Sequence, residues 1–174
     1  MTNLEYENHR LLDVINEDDE VIDSRFRIDI HKLGLLHREV HVWMFDNNKS
    51  IFFQKRGLHA LSAGLLDATV GGHLNKGENY LDAAVRETKE ETNISILPSD
   101  LVFIKKVKYL SSIERDNKGN TINNSLRNIY VYKHPVNEKQ IKREAGILGV
   151  DFKKFSPEFF LNPEKKHIKM FKNC

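Results

Sequence analysis

Apolar residues group into short segments separated by polar turns, and this pattern predicts β-strands along much of the chain. Residues 11–15 and 21–22 flank the polar cluster "NEDDE" and predict an N-terminal hairpin ahead of the basic stretch "SRFRIDIHK". Residues 40–45 and 51–56 are rich in β-branched and aromatic side chains and predict a second hairpin around the turn "DNNKS". We expect the second hairpin to supply two core strands.

The rest of the chain mixes strands with helices. The segment "DATVGGH" predicts a short strand that ends in the glycine pair, and a helix follows it. "LVFIKKVKYL" and "SLRNIYVYK" predict two strands that pair around a turn containing "DNKGN". Near the C-terminus, Ser156 precedes Pro157 and Asn162 precedes Pro163, which predicts one or two short helices because each pair places a capping residue before a proline.

The helix after the glycine pair has clear predicted ends. Asn79 can cap a helix that begins at Tyr80, and Asn93 can end it because Asn tolerates the left-handed conformation. At ~100° per residue the helix has an apolar stripe, predicted to pack inward, and a separate acidic face, predicted to point outward. The stripe contains Leu81, Ala84, Val85, Thr88 and Thr92, and the acidic face contains Glu87, Glu90 and Glu91.

Composition limits the kind of protein this can be. A chain of 174 residues with 40% hydrophobic and 30% charged residues is typical of one globular domain. The net charge of +2 gives no support for binding a nucleic acid polymer or an anionic membrane. Cys174 is the only cysteine, so an intrachain disulfide or a cysteine-based metal cluster is excluded. No signal peptide or apolar run of ~18 residues is present, and we therefore expect a cytoplasmic protein.

The acidic face of the predicted helix needs an explanation. Glu87, Glu90 and Glu91 stand at helical spacings where like charges cost ~0.2–0.5 kcal/mol per pair, which Arg86 and Lys89 can offset in part. One interpretation is an ordinary solvated surface. The other is a site for a hard divalent cation such as Mg²⁺, which binds carboxylates and to which the preceding glycine turn can add backbone carbonyls.

The same stretch resembles the Nudix box. The matching positions are Gly72, Glu78, Arg86, Glu87, Glu90, Glu91 and Ile94, whereas Thr88 and Asn93 stand where the family prefers an aliphatic residue and a glycine. The resemblance implies an α/β (α+β) fold, a Nudix α/β/α sandwich with a mixed β-sheet. It further implies a single domain over residues 1–174, with an N-terminal hairpin extension at 1–36, a core at 37–160 and a C-terminal helix at 161–174.

The Nudix resemblance also implies an activity and roles for residues. Nudix hydrolases use Mg²⁺ or Mn²⁺ to cleave the diphosphate of a nucleoside diphosphate linked to another group. By position, the metal ligands would be Glu87, Glu90, Glu91 and the carbonyl of Gly71. The catalytic residues would be Glu87, Glu90, Arg86 and, from a later loop, Glu144. Glu87 is the favoured base or water-orienting group. Glu138 is a weaker alternative to Glu144, and Gly72 and Glu78 are secondary box residues. The expected partner is a small-molecule diphosphate; the oligomeric state is open, with a homodimer as one alternative.

Residues from about 11 to 160 resemble the branch that contains type I isopentenyl-diphosphate isomerase and related uncharacterised hydrolases. His31, His37 and His73 resemble the metal-binding histidines of this branch and are candidate pocket residues, with ordinary surface or hydrogen-bonded histidines as the alternative. The isomerase carries a cysteine where this chain has Gly71, and its later acidic pair is missing from the segment with Leu126, Arg127 and Asn128.

These differences favour hydrolysis over isomerisation, because the residues for alkene protonation are missing. A non-catalytic nucleotide sensor is a third alternative, but such modules typically lose box acids, and all are present here. Substrate specificity is expected in the loops at residues 57–66, 113–124 and 137–149, from which the substrate itself cannot be derived.

Overall fold

A computed structural model describes residues 9–56, 64–111, 114–116, 119–137, 141, 151–161 and 170 of the 174-residue chain, with the backbone alone for 114–116, 119 and 120. Within these described residues, the N-terminal half has the elements β1 (Leu11–Ile15), β2 (Val21–Phe26), α1 (Arg27–Leu33), β3 (His37–Trp43), β4 (Ile51–Lys55), β5 (Leu66–Asp67), β6 (Val70–His73) and α2 (Tyr80–Thr92). The C-terminal half contains β7 (Leu101–Leu110), β8 (Glu114–Asp116), β9 (Gly119–Thr121), β10 (Asn124–Tyr132), β11 (Asp151–Phe155) and α3 (Pro157–Leu161).

The largest sheet is mixed, as predicted. Its order is β2-β1-β3-β10-β7, with β6 paired antiparallel to β3. Strand β10 runs parallel to β3 and antiparallel to β7, so the two predicted strands "LVFIKKVKYL" and "SLRNIYVYK" do pair. A second sheet has the order β11-β4-β5, and β8 and β9 form a short hairpin.

The main core lies between the largest sheet and helix α2. Alternate residues of β3, Val40 and Val42, are fully buried and pack in one cluster with Ala83 and Ala84 of α2 and Val70 of β6. Burial of these side chains gains roughly 25 cal/mol per Å² of apolar surface, which fixes α2 against β3 and β6. The polar residues that alternate with them on β3 therefore point to the opposite face of the sheet.

The two predicted hairpins have different outcomes. The N-terminal hairpin is confirmed, because β1 and β2 pair antiparallel, and β1 also joins β3 through Val14 and His37. The second hairpin is only partly right: Phe45 and Ile51 form a bridge, but β3 and β4 belong to different sheets. Helix α1, which follows β2 directly, was not predicted from the basic stretch.

The prediction that all three glutamates of α2 point outward is wrong. Glu87 is 5% exposed and Glu91 is half-buried, and Glu90 alone of the three is exposed. The reason is the glycine pair, because Gly72 has no side chain and leaves space that the carboxylate of Glu87 occupies. On the inward stripe, Ala84, Thr88 and Thr92 are buried as predicted, whereas Leu81 and Val85 are half-buried.

Helix α3 confirms the first short helix predicted near the C-terminus, while most of the helix predicted at 161–174 lies outside the described residues. The division into a hairpin extension, a core and a C-terminal helix stays a prediction. None of the helices in the described part of the chain is both long and apolar enough to cross a membrane.

Candidate active site

Helix α2 is held in register by a cap at each end, as predicted. The side chain of Asn79 accepts hydrogen bonds from the backbone N–H groups of Leu81 and Asp82, which would otherwise be unpaired at the helix start. Asn93 ends the helix in the left-handed conformation with φ of 59°. These caps determine which residues of α2 reach the edge of β6.

Glu87 lies directly over the second glycine of β6. A Cβ atom added at Gly72 would lie 2.0 Å from Cδ of Glu87 and within 2.4 Å of both carboxylate oxygens. Burial raises the pKa of Glu87 to about 7, although the neighbouring guanidinium groups of Arg86 and Arg10 act in the opposite direction. Glu87 is therefore a carboxyl group that can be charged or neutral near neutral pH.

Glu91 lies beside the first glycine of β6. The backbone N–H of Gly71 donates to Oε2 of Glu91 at 3.1 Å. Burial raises the pKa of Glu91 well above its usual range, and the nearby charge of Glu87 raises it further. Two carboxyl groups thus approach each other where full ionisation of both is costly unless a cation is present.

Arg86 connects the acidic residues of the site. Its guanidinium donates to both oxygens of Glu78 at 2.9 and 2.8 Å, to Oε1 of Glu87 at 2.7 Å, and to Oε2 of Glu90 at 3.0 Å. It also donates to the carbonyl of His73 at 3.0 Å. Burial opposes ionisation of Glu78, but its hydrogen bonds with Arg86 and the N–H of Asn75 lower the pKa of this carboxyl below its usual value. Glu78 is thus fully engaged in holding Arg86 and the turn before α2.

The donor set fits a hard divalent cation. Glu87 and Glu91 are carboxylates at one sheet edge, and Oε2 of Glu87 accepts no hydrogen bond from any side chain or backbone group in the described residues. Oxygen ligands of this kind are those that Mg²⁺ and Mn²⁺ prefer. Arg86 orients the carboxylates from the other side, as residues around a metal site commonly do.

His31, His37 and His73 converge on the opposite face of the sheet. One ring nitrogen from each lies within 4.8 Å of the others, and Nε2 of His31 is 2.9 Å from Nε2 of His73. Burial lowers the pKa of His37 and lowers that of His73 well below its usual range, so both rings favour the neutral form that binds metals. Nε2 of His37 is buried and has no hydrogen-bond partner among the described residues. This cluster could hold a metal ion.

A buried ion pair that the sequence did not suggest borders the histidines. Glu39 accepts hydrogen bonds from Arg127 at 2.6 and 3.0 Å and from Oγ of Ser125 at 2.7 Å, and it lies 3.2 Å from Nε2 of His73. Burial disfavours the charged form, yet Arg127 holds the pKa of Glu39 well below its usual range. The available sequence signal was the alternation in β3, where His37, Glu39 and His41 share one face and the apolar Val40 and Val42 share the other.

The structure also shows which side chains of residues 125–128 face the histidines, in the segment where the isomerase has its later acidic pair. Arg127 contacts Glu39 and lies over the ring of Tyr109 at 4.2 Å, so this position brings a positive charge to the histidine face. Ser125 points to the same carboxylate, so Ser125 and Arg127, rather than Leu126 and Asn128, lie on this side. Glu144 and its weaker alternative Glu138 lie outside the described residues, as do most of the two loops predicted at 57–66 and 137–149.

Comparison with known proteins identifies the family of this chain. The profile of the NUDIX domain matches residues 35–171, which is more than half of the chain. An uncharacterised Nudix hydrolase of Clostridium acetobutylicum is 26% identical over 92% of this chain and 85% of its own length. An isopentenyl-diphosphate Delta-isomerase of Serratia proteamaculans is 29% identical over 89% of this chain and 84% of its own length. In fold, a solved structure from Deinococcus radiodurans is similar with a TM-score of 0.58 and 22% identity, covering 87% of this chain and 86% of that chain. The chain belongs to the Nudix family.

Proposed function

We propose that this protein is a Mg²⁺- or Mn²⁺-dependent hydrolase that cleaves the diphosphate linkage of a nucleoside diphosphate joined to another group. The observation that carries the proposal is the pair of neighbouring carboxyl groups, buried Glu87 and half-buried Glu91, at the glycine edge of β6. Full ionisation of two acids side by side is unfavourable unless they bind a cation, since each opposes the ionisation of the other. The family membership supports hydrolysis of a pyrophosphate bond as the reaction.

Each residue of the site has a specific proposed role. Glu87, Glu90, Glu91 and the carbonyl of Gly71 would hold the cation, which when bound neutralises diphosphate charge and lowers the pKa of coordinated water. Arg86 occupies Oε1 of Glu87 and one oxygen of Glu90, which leaves the remaining oxygens available. Glu87 is also the favoured residue for orienting the attacking water, because Arg86 holds its Oε1 and so fixes the carboxylate beside the cation.

Isomerisation of isopentenyl diphosphate is a second candidate because His31, His37 and His73 converge as in the resemblance to the isomerase branch. However, position 71, next to these histidines, is a glycine, and Gly71 supplies no acid that could protonate an alkene. Arg127 neutralises Glu39 on the same face. We therefore place hydrolysis first.

The proposal is tested by a substrate screen with Mg²⁺ and with Mn²⁺. The compounds are nucleoside-diphosphate sugars, dinucleoside polyphosphates, NADH, ADP-ribose, damaged nucleotides and isopentenyl diphosphate. We expect metal-dependent release of a phosphorylated product from at least one nucleotide. Glu91→Gln is the matched variant that tests the charge of Glu91 alone, because its amide oxygen can still accept the hydrogen bond from the N–H of Gly71.

The other outcomes separate the alternatives. Tight binding of a nucleotide without turnover would support a sensor instead of a hydrolase. Formation of dimethylallyl diphosphate from isopentenyl diphosphate would overturn the argument from Gly71. Equal turnover in the wild type and in Glu91→Gln would remove the proposed metal site.

A further inference from the structure

Arg10 lies outside the part of the chain that matches the NUDIX profile, yet its side chain reaches the candidate metal site. It directly precedes β1, and its guanidinium Nη2 is 3.7 Å from Oε1 of Glu87. The side chains of both residues are largely buried, at 11% and 7% exposure. A charge pair that is shielded from water in this way is stronger than the same pair on the surface.

The guanidinium of Arg10 is fixed by hydrogen bonds to the turn between β6 and α2. Nε and Nη2 donate to Oδ1 of Asn75 at 3.0 and 2.8 Å, and Nη2 also donates to the carbonyl of His73 at 3.2 Å. Arg86 donates to the same His73 carbonyl from α2 at 3.0 Å. Two guanidinium groups, one from each side, therefore meet at one carbonyl and at the same oxygen of Glu87.

The backbone around Arg10 is held against the same turn. The N–H of Lys76 donates to the carbonyl of Leu11 at 2.8 Å, and the N–H of Gly77 donates to Oδ2 of Asp13 at 2.7 Å. The carbonyl of Arg10 accepts from the N–H of Arg27 at 2.9 Å. Strand β1 is thus attached to the segment that leads from the glycine pair into α2, and this attachment sets the position from which Arg10 extends.

We propose that Arg10 is a positioning residue for Glu87. With Arg86, it holds Oε1 of Glu87, so that Oε2 stays directed to the site for the cation. The N-terminal hairpin then belongs to the catalytic apparatus, although the family profile begins after it. The inference rests on the proposed function in one respect, namely that Glu87 is a ligand of the metal.

The test measures Mn²⁺ binding by isothermal titration calorimetry on the full chain without substrate, together with thermal unfolding. Arg10→Ala is compared with two controls on the same hairpin. Asp13→Ala removes the acceptor for Gly77 without touching Glu87, and Arg25→Ala removes an exposed pair with Asp23. We expect Arg10→Ala to weaken Mn²⁺ binding by roughly tenfold, the lower end for residues that orient a metal ligand. Asp13→Ala should lower the melting temperature but bind Mn²⁺ within about twofold of the wild type, and Arg25→Ala should change neither.

Several results would overturn the proposal. If Arg10→Ala binds Mn²⁺ as well as the wild type, or more tightly because a repelling charge has gone, Arg10 does not position Glu87. If Asp13→Ala loses as much affinity as Arg10→Ala, the hairpin has only a structural role. Wild-type protein that fails to bind Mn²⁺ would overturn the proposed metal site as well, whereas normal wild-type binding with an unaffected Arg10→Ala overturns the role of Arg10 alone.

Discussion

The two glycines of β6 differ in what their missing side chains make possible. At Gly72 the space is filled by the carboxylate of Glu87, which an added Cβ would approach to 2.0 Å. At Gly71 an added Cβ would instead face the ring of His41 at 3.2 Å, on the other side of the strand. Adjacent residues of a strand point to opposite faces, so one methyl group can be added next to the metal site or away from it.

We predict that Gly72→Ala strongly weakens metal binding while the protein stays folded. The flexible side chain of Glu87 can rotate away from the new methyl group, but its carboxylate then leaves the site. Mn²⁺ affinity and metal-dependent turnover should fall by about 100-fold, measured by calorimetry and in the substrate screen. Gly71→Ala should keep affinity within a few fold, since its methyl group would face the ring of His41 and the carbonyl of Val40 instead of Glu87. Mn²⁺ binding by Gly72→Ala at wild-type strength would contradict the placement of Glu87.

At the level of elements, local signals were sufficient for α2 and for the N-terminal hairpin. The caps at Asn79 and Asn93 act within a few residues, so the ends of α2 could be derived from the sequence. The burial of Glu87 could not be derived from the sequence, because it depends on the packing of α2 against a glycine of another element. The pair formed by Glu39 and Arg127 likewise depends on β10 lying beside β3, and that neighbourhood is set by the register of distant strands.

We predict that Asn79→Ala destabilises the protein by ~1 kcal/mol, because the N–H groups of Leu81 and Asp82 lose their acceptor. The measurement is urea unfolding monitored by circular dichroism. Asn93→Gly is the matched control at the other end of α2, where φ is 59° and glycine adopts this conformation without strain. It should be neutral or slightly stabilising. Equal stability of Asn79→Ala and the wild type would mean that packing alone fixes the start of the helix.

For the whole molecule, buried carboxyl groups give opposite dependences of stability on pH. The pKa of Glu39 is lowered in the folded state, so its contribution is present above the ordinary pKa of about 4.5 and is lost as the pH falls through the lowered value. The pKa of Glu87 is raised to about 7, so the folded state binds this proton more tightly than the unfolded state does. The free energy of unfolding therefore loses the contribution of Glu87 as the pH rises from ~4.5 to ~7. Glu91, whose pKa is also raised, acts in the same direction.

Because a metal ion needs these two acids in their charged form, we predict that Mn²⁺ stabilises the fold more at pH ~8 than at pH ~5.5. A ligand present at 100 times its dissociation constant adds about 2.7 kcal/mol, and protonation of Glu87 and Glu91 at the lower pH weakens binding and reduces this gain. Thermal unfolding with and without Mn²⁺ at both pH values measures the effect. In Glu91→Gln the stabilisation by Mn²⁺ should disappear, because a neutral amide replaces the charged carboxylate that the metal needs. Stabilisation by Mn²⁺ that is equal at both pH values, or that persists in Glu91→Gln, would show that the metal binds elsewhere.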